Sequence, residues 1–275
     1  MQLKGRVAVV TGAGGGIGAA TAAALHRAGC ALALADINGD AVRAVAATLQ
    51  GASAHAVDVS DADAMQAFAA EVVKVHDRVN IVVNNAGLSV VGSFEHHGAE
   101  DWQRVIGVNL FGVVNGCRAF LPHLRAADRG WIVNISSMFG IVAFPGQSAY
   151  CASKYAVRGL SETLALELQG SNVGVTVVHP GGVRTAIARH ARLAAFAPRD
   201  LPMEHIVRMF DERGVPPERV ADGIVRSIEH ERPRMRVCAE AFLGDYLKRL
   251  MPTLGNRLLI AATRRMLSDG GGLPG

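Results

Sequence analysis

Short runs that are almost entirely apolar recur along the chain, and longer stretches rich in alanine and leucine separate them. A strand with one solvated face alternates apolar and polar residues, whereas an unbroken apolar strand is buried on both faces, as in a parallel sheet covered by helices. Seven such runs begin near residues 6, 30, 53, 79, 130, 173 and 234. Their alternation with helical stretches predicts an α/β fold built on one doubly wound parallel sheet.

No linker divides the 275 residues, which suffice for one large α/β domain. We predict a single Rossmann-type domain over residues 1–240, in which residues 186–215 form a lid over the substrate. Residues 241–275 are predicted to be a C-terminal helical extension of the same domain, kinked or split at Pro252. Apolar residues at helical spacing, with basic residues between them, favour packing against the domain or a partner subunit over binding to a membrane surface.

The composition excludes several classes of protein. The net charge is +4, and residues 241–275 account for +3 of it, so the remaining chain is nearly neutral and does not resemble a nucleic-acid binder. Four scattered cysteines, without a CxxC pair, argue against disulfides and structural zinc, and the histidines lack metal-ligand spacing. No signal peptide precedes the first run, and no apolar run approaches ~18 residues. We therefore expect a soluble cytoplasmic protein without a metal.

A glycine-rich turn joins the first predicted strand to the first helix. The stretch TGxxxGIG comprises Thr11, Gly12, Gly16, Ile17 and Gly18. Glycines at such a junction permit a tight turn, let backbone N–H groups approach a pyrophosphate, and seat the helix closely on the sheet. A Walker loop is excluded because no Gly-Lys-Ser/Thr follows. The turn indicates dinucleotide binding, although a glycine-rich turn alone could be a mere tight connection.

An acidic residue, Asp36, ends the second predicted strand, eighteen residues beyond Gly18. A carboxylate there can accept hydrogen bonds from the ribose hydroxyls of adenosine and repels a 2′-phosphate, which favours NAD over NADP. The alternative is an aspartate that caps the next helix.

Further polar residues follow the third and fourth predicted strands, at the carboxyl edge where ligands bind in open α/β sheets. Asp58 and Val59 end the third strand, and the fourth ends in the sequence NNAG, residues 84–87. Two adjacent buried asparagines need hydrogen-bond partners and rarely serve packing alone.

Tyr150 and Lys154 are four residues apart, so on a helix they share one face. A neighbouring ammonium should lower the pKa of a tyrosine and make it a general base for a substrate hydroxyl. Tyr155 points elsewhere and is predicted to pack. An ordinary surface pair is the alternative, but Ser137 ends a predicted strand at the same sheet edge and could hold the substrate oxygen beside Tyr150.

Together, TGxxxGIG, NNAG, Ser137 and Tyr150-x-x-x-Lys154 resemble the short-chain dehydrogenase/reductase family over residues 3–185. The resemblance implies that Tyr150 is the acid/base, that Lys154 lowers its pKa and holds the nicotinamide ribose, and that Ser137 positions the reacting oxygen. It implies that Asn109 organises a water near the lysine, and that a homodimer or homotetramer forms. The resemblance also completes the predicted NAD contacts, which are Gly12, Gly16, Ile17, Gly18, Asp36, Asp58, Val59, Asn85, Ala86, Gly87, Tyr150, Lys154, Pro180, Val183 and Thr185.

Two apolar segments are predicted to wall the substrate pocket, which favours an apolar secondary alcohol or ketone. Their residues are Met138, Phe139, Ile141, Val142, Phe144 and Pro145, and, in the lid, Ile187, Leu193, Phe196, Met203 and Met209. We expect an NAD-dependent oxidoreductase. The alternatives are an NADP-dependent ketoreductase, a non-catalytic NAD-binding regulator, and a methyltransferase, which would have no need of Tyr150 and Lys154.

Overall fold

A computed structural model describes residues 1–185, 191–194, 214–237 and 239–251, together with residues 208, 212, 253 and 257. The strands are β1 (Val7–Thr11), β2 (Ala31–Asp36), β3 (Ser53–Ala56), β4 (Ile81–Asn84), β5 (Val90–Val91), β6 (Gly130–Ile135), β7 (Val173–His179), β8 (Arg192–Leu193) and β9 (Arg234–Arg236). The α-helices are α1 (Gly16–Arg27), α2 (Gly39–Ala47), α3 (Ala62–His76), α4 (Ala99–Ile106), α5 (Gly112–Ala126), α6 (Ser148–Glu167), α7 (Pro217–Glu229) and α8 (Ala239–Leu250).

Seven strands form one parallel sheet in the order β3-β2-β1-β4-β6-β7-β9. Each of the seven predicted runs contributes one of these strands, which confirms the predicted α/β fold. The chain reverses direction across the sheet between β1 and β4, and such a switch point leaves a crevice at the carboxyl ends of the strands.

Both faces of the sheet are buried, as the unbroken apolar runs predicted. In β1, Ala8 and Val10 pack into one hydrophobic cluster, together with Leu25 of α1 and Ile224 of α7. Val9, between them, packs into the other cluster with residues of α3, α5 and α6. Side chains alternate across a strand, so a strand covered by helices on both sides is apolar at most positions, and its polar side chains need hydrogen-bond partners.

A continuous helical stretch, Ala99–Ala126, includes α4, a π-helical turn at Gly107–Phe111, and α5. By length and composition alone it could cross a membrane, contrary to the prediction that no apolar stretch comes near that length. Val113, Phe120 and Leu124 of α5 are fully or almost fully buried in the core against α3 and the sheet. The stretch is therefore a core helix of the α/β domain.

Only parts of the predicted lid and C-terminal extension belong to the described residues. Within the lid, β8 pairs in parallel with β5, and an isolated bridge joins Val183 to Val215. The predicted lid contacts Ile187, Phe196, Met203 and Met209, the kink at Pro252, and residues 258–275 lie outside the described part of the chain.

Candidate active site

A cleft of about 870 Å³ opens at the carboxyl edge of the sheet, between the ends of β1 and β4. Most predicted site residues line it: Gly12, Gly16, Ile17, Asp36, Asp58, Val59, Asn85, Ala86, Gly87, Ser137, Tyr150, Lys154, Pro180, Val183 and Thr185. Gly18 and Asn109 lie outside its lining. Sequence elements spread over 174 positions, from Gly12 to Thr185, therefore converge on one crevice.

The glycine loop is shaped by requirements that only glycine meets. Gly12 and Gly16 have φ angles of +63° and +56°, in the left-handed region that costs other residues free energy. A Cβ atom on Gly18 would lie 2.0 Å from the carbonyl oxygen of Gly12. Gly18 therefore seats α1 directly against the loop, whereas Gly12 and Gly16 border the cleft.

Asp36 presents a fixed carboxylate to the cleft. Its Oδ2 accepts a hydrogen bond of 2.9 Å from the backbone N–H of Gly14, and its Oδ1 accepts one of 2.9 Å from that of Asn38. The alternative role as a helix cap is wrong, because Asn38 caps α2 by accepting from the N–H of Ala41 at 3.1 Å. Asp36 is thus tied to the glycine loop at the wall of the cleft.

The two asparagines that end β4 have different surroundings. Asn84 is buried in the core and donates from Nδ2 to Oδ1 of Asn134 at 2.9 Å. Asn85 is half-buried and donates from Nδ2 to the carbonyl oxygens of Thr11 and Gly12, at 2.9 and 3.1 Å. Asn84 thus joins neighbouring strands, while Asn85 braces the glycine loop and also lines the cleft.

Tyr150 lies in the first turn of α6, beside Ser137 at the end of β6. Burial raises the pKa of Tyr150 to about 12, and a hydrogen bond with Ser137 opposes that rise. The predicted lowering of this pKa is therefore wrong for the protein alone. A shared helix face does not overcome desolvation of the phenol, which disfavours the phenolate.

Lys154 is directed to the sheet as well as to the tyrosine. Its side chain is 3% exposed, and Nζ donates a hydrogen bond of 2.9 Å to the carbonyl oxygen of Ile135 at the end of β6. Nζ lies 5.7 Å from the centroid of the Tyr150 ring. Burial lowers the pKa of Lys154 to about 8, because an ammonium loses hydration in this environment.

Asn109, in the π-helical turn, is fully buried behind the cleft. Its Oδ1 accepts from the N–H of Leu88 at 2.8 Å, and its Nδ2 donates to the carbonyl oxygen of Leu88 at 2.9 Å. A Cβ atom on Gly87 would lie 3.3 Å from Oδ1 of Asn109 and 3.4 Å from Nζ of Lys154. Asn109 therefore holds the chain after β4 close to the lysine, and its role toward a water stays a prediction.

Fewer of the predicted apolar residues line the cleft than expected. Met138 and Phe139 line it, but Ile141 and Val142 are buried outside its lining. The ring of Phe139 stacks on Phe144, with centroids 4.9 Å apart, and meets the ring of Tyr150 edge-on at 6.2 Å. Of the other predicted wall residues, Phe144, Pro145 and Leu193 are also outside the lining.

Sequence reasoning missed Gln147 and Ser89, which both line the cleft. The hydroxyl of Ser89 donates to Oε1 of Gln147 at 2.8 Å, and a backbone bridge joins Gly92 to Gln147. Gln147 immediately precedes α6 and lies three residues before Tyr150. Its position just before the predicted catalytic helix was the signal that could have identified it. Within the described ranges, no group of three potential metal ligands occurs, and Cys30, Cys117 and Cys151 are free thiols.

A doubly wound sheet, a glycine-loop cleft at its switch point, and a Ser-Tyr-Lys cluster within that cleft define an oxidoreductase of the dinucleotide-binding class. The family model described as short chain dehydrogenase matches residues 6–195. The chain belongs to the short-chain dehydrogenase/reductase family.

Known proteins resemble the chain over most of its length. A putative oxidoreductase named SadH, from Mycobacterium tuberculosis, is 40% identical over 272 residues, covering 96% of this chain and 97% of the relative. A D-threitol dehydrogenase from Mycolicibacterium smegmatis is 39% identical over 194 residues, or 69% of this chain and 75% of the relative. A crystal structure of a short-chain dehydrogenase/reductase from Burkholderia phymatum in complex with NAD matches with a TM-score of 0.85, at 30% identity, covering 92% of this chain and 96% of the other.

Proposed function

We propose that the chain transfers a hydride between NAD and an apolar secondary alcohol, or the corresponding ketone in the reverse direction. The observation that carries the choice of cofactor is the carboxylate of Asp36, fixed by Gly14 and Asn38 at the wall of the cleft. A 2′-phosphate would place a second negative charge beside it. The Burkholderia phymatum relative, whose structure contains NAD, supports the same choice.

The residues that line the cleft fit NAD in chemical character. The backbone at Gly12, Gly16 and Ile17 borders the cleft where α1 begins, and a helix N-terminus favours a pyrophosphate. Asp36 would accept from the adenosine ribose, and Lys154 lies at the far end near Tyr150. Bound NAD would supply a hydride acceptor, which is cationic in its oxidised form.

Residues of the chain itself would position the substrate oxygen and accept its proton. Ser137 would hold the substrate oxygen, and the phenolate of Tyr150 would accept the proton that the alcohol loses. With a pKa of about 12, Tyr150 is protonated in the protein alone, so added positive charge near its hydroxyl is needed to favour the phenolate. The Lys154 ammonium already lies 5.7 Å from the ring centroid in this state, so the added charge would have to come from the oxidised form of bound NAD.

The proposed substrate class rests on the aromatic contacts of Phe139 with Phe144 and Tyr150. An aromatic surface beside the acid/base favours an apolar substituent on the carbinol carbon. Activity with NAD on 4-phenyl-2-butanol, and little on small polyols such as threitol, is the expected result when NADH absorbance is followed. Activity confined to polyols would contradict the substrate class.

The assignment of Tyr150 is tested with Tyr150→Phe, and Tyr246→Phe serves as a matched control because Tyr246 is an exposed residue of α8. We expect Tyr150→Phe to lower turnover by a factor of about 10³ or more, within the range of general acid–base catalysis combined with lost electrostatic stabilisation. The affinity for NAD should change little. Unchanged turnover in Tyr150→Phe would refute the assigned role and favour a different base.

The cofactor choice is tested with Asp36→Ala, and Asp40→Ala is the control because Asp40 is a solvent-exposed acid of α2. Asp36→Ala should weaken NAD binding by about 10-fold or more, the cost of losing charge-assisted hydrogen bonds. It should weaken NADP binding much less. A wild-type protein that binds NADP more tightly than NAD would instead indicate an NADP-dependent ketoreductase.

A further inference from the structure

The chain between β6 and α6, residues 136–147, is here called the β6–α6 loop. It carries Ser137 and the cleft residues Met138, Phe139 and Gln147. The C-terminal helix α8 packs behind this loop, on the side away from the cleft. Two contacts join them: a polar one that runs through Tyr155 of α6, and a direct steric one.

One contact is a chain of two hydrogen bonds. Nζ of Lys248 in α8 donates to the hydroxyl of Tyr155 in α6 at 2.6 Å. That hydroxyl donates in turn to the carbonyl oxygen of Ile141 in the β6–α6 loop. Nζ of Lys248 also lies 5.2 Å from the centroid of the Tyr155 ring. Tyr155 was predicted to be a packing residue only, and its hydroxyl instead joins two separate segments of the chain.

The second contact is steric. A Cβ atom on Gly244 of α8 would lie 2.9 Å from Cγ1 of Val142, so the helix backbone rests directly on the loop. Helix α8 is held in this position by Asp245, which is 3% exposed. Its carboxylate accepts from Arg234 and Arg236 of β9 at 3.0 and 2.8 Å. The helix is therefore anchored to the sheet while Gly244 rests on the loop.

The β6–α6 loop is also held on its other side, by α6 and by a hydrogen bond within the loop, so a contact at Ile141 affects the position of Phe139. A Cβ atom on Gly140 would lie 2.6 Å from the carbonyl oxygen of Lys154, so the loop is pressed against the active-site helix α6. The N–H of Ile141 donates to the carbonyl oxygen of Met138 at 2.9 Å. Phe139, between these fixed points, forms the aromatic surface beside Tyr150.

We propose that Lys248 is a positioning residue that acts through Tyr155 and Ile141 to fix the aromatic surface of Phe139, and thereby sets the affinity for the apolar part of the substrate. The part that concerns substrate rests on the function proposed above. Lys248 does not line the cleft, and it bonds to Tyr155 rather than to Tyr150, so its removal changes how the wall is held and leaves the acid/base group in place.

The kinetic test compares Lys248→Met, which keeps an apolar stem, with Lys248→Arg, which keeps a cationic donor. For 4-phenyl-2-butanol, KM should rise about 10-fold in Lys248→Met with kcat nearly unchanged, the cost of one charge-assisted hydrogen bond. For 2-propanol, which is too short to reach the aromatic surface, KM should change less than about twofold. Lys248→Arg should restore the wild-type KM, and Lys74→Met, at an exposed lysine of α3, should behave as wild type. Equal changes for both alcohols, or none, would overturn the proposal.

Hydrogen exchange tests the same inference without any turnover, so it stands even if the substrate class is wrong. Amides of residues 138–147 should exchange at least about fivefold faster in Lys248→Met and in Tyr155→Phe than in the wild type, while those of β2 stay unchanged. The double variant should exchange no faster than either single one, because both substitutions interrupt the same chain of bonds. Unchanged exchange in the loop, or additive effects, would show that the lysine does not position it.

Discussion

Replacing Lys154 with methionine is expected to abolish turnover and yet leave the protein at least as stable at pH 7. Lys154 is 3% exposed, and its ammonium has a single hydrogen-bond partner among the described residues, the carbonyl oxygen of Ile135 at 2.9 Å. A buried charge with so little compensation opposes folding, and an apolar side chain of similar length removes that cost. The prediction therefore separates the contribution of a residue to catalysis from its contribution to stability.

The magnitude follows from the pKa of Lys154, which burial lowers from 10.5 to about 8. At about 1.4 kcal/mol per pKa unit, the ionised lysine costs the folded state about 3 kcal/mol at pH 7. Methionine removes this cost, but it also leaves the Ile135 carbonyl without its donor, which lowers the free energy of unfolding by about 1–3 kcal/mol. The net expectation for Lys154→Met at pH 7 is a free energy of unfolding that is unchanged or raised by up to about 2 kcal/mol.

The pH dependence is the sharper measurement. The folded-state pKa of Lys154 lies below the unfolded value, so between pH 8 and 10.5 the unfolded chain binds more protons and wild-type stability rises with pH. The variant lacks this rise. Urea unfolding of both proteins at one protein concentration should show the advantage of Lys154→Met falling by about 2 kcal/mol between pH 7 and pH 9.5. A difference that stays constant or grows over that range would refute the reasoning.

Two further substitutions test the packing around the cleft. Gly18→Ala would place a Cβ atom 2.0 Å from the Gly12 carbonyl oxygen, so it should displace the glycine loop. A fluorescence titration should then show NAD binding weakened at least about 10-fold. Wild-type affinity would show that the loop shifts without affecting the bound cofactor. Asn134→Ala removes the partner of buried Asn84 and the donor to Ser161 at 3.0 Å, so urea unfolding should show a loss of about 2–4 kcal/mol. A loss below about 1 kcal/mol would mean that water replaces the missing amide.

The sequence was sufficient for the features that depend on local pattern. The mostly apolar runs identified every strand of the main sheet, because burial on both faces favours apolar residues at most positions. TGxxxGIG and Asp36 were likewise correctly placed at one cleft, because strand ends in a parallel sheet meet at one edge. The roles assigned to Ser137, Tyr150, Lys154 and Asn109 remain predictions, and the variants above test those of Tyr150 and Lys154.

Other features depend on groups far apart in the chain. The four-residue spacing of Tyr150 and Lys154 fixed their shared face but not their hydration, so the direction of the tyrosine pKa shift was wrong. The bond from Lys248 to Tyr155 spans 93 positions, and no local pattern indicates it. Similarly, Ile141 and Val142 are apolar in the way that wall residues are, but the turn after Ser137 directs them into the core.

The carbonyl group of Ile135 belongs to β6, which is hydrogen-bonded to β4 on one side and β7 on the other. Ile135 itself pairs with Val178 of β7, so the acceptor that orients Lys154 shifts only if this part of the sheet opens. Openings of that kind require the free energy of global unfolding, whereas loops open at far lower cost. On heating, the lysine should consequently keep its alignment until the whole domain melts, so that irreversible loss of activity and loss of tertiary structure share one temperature.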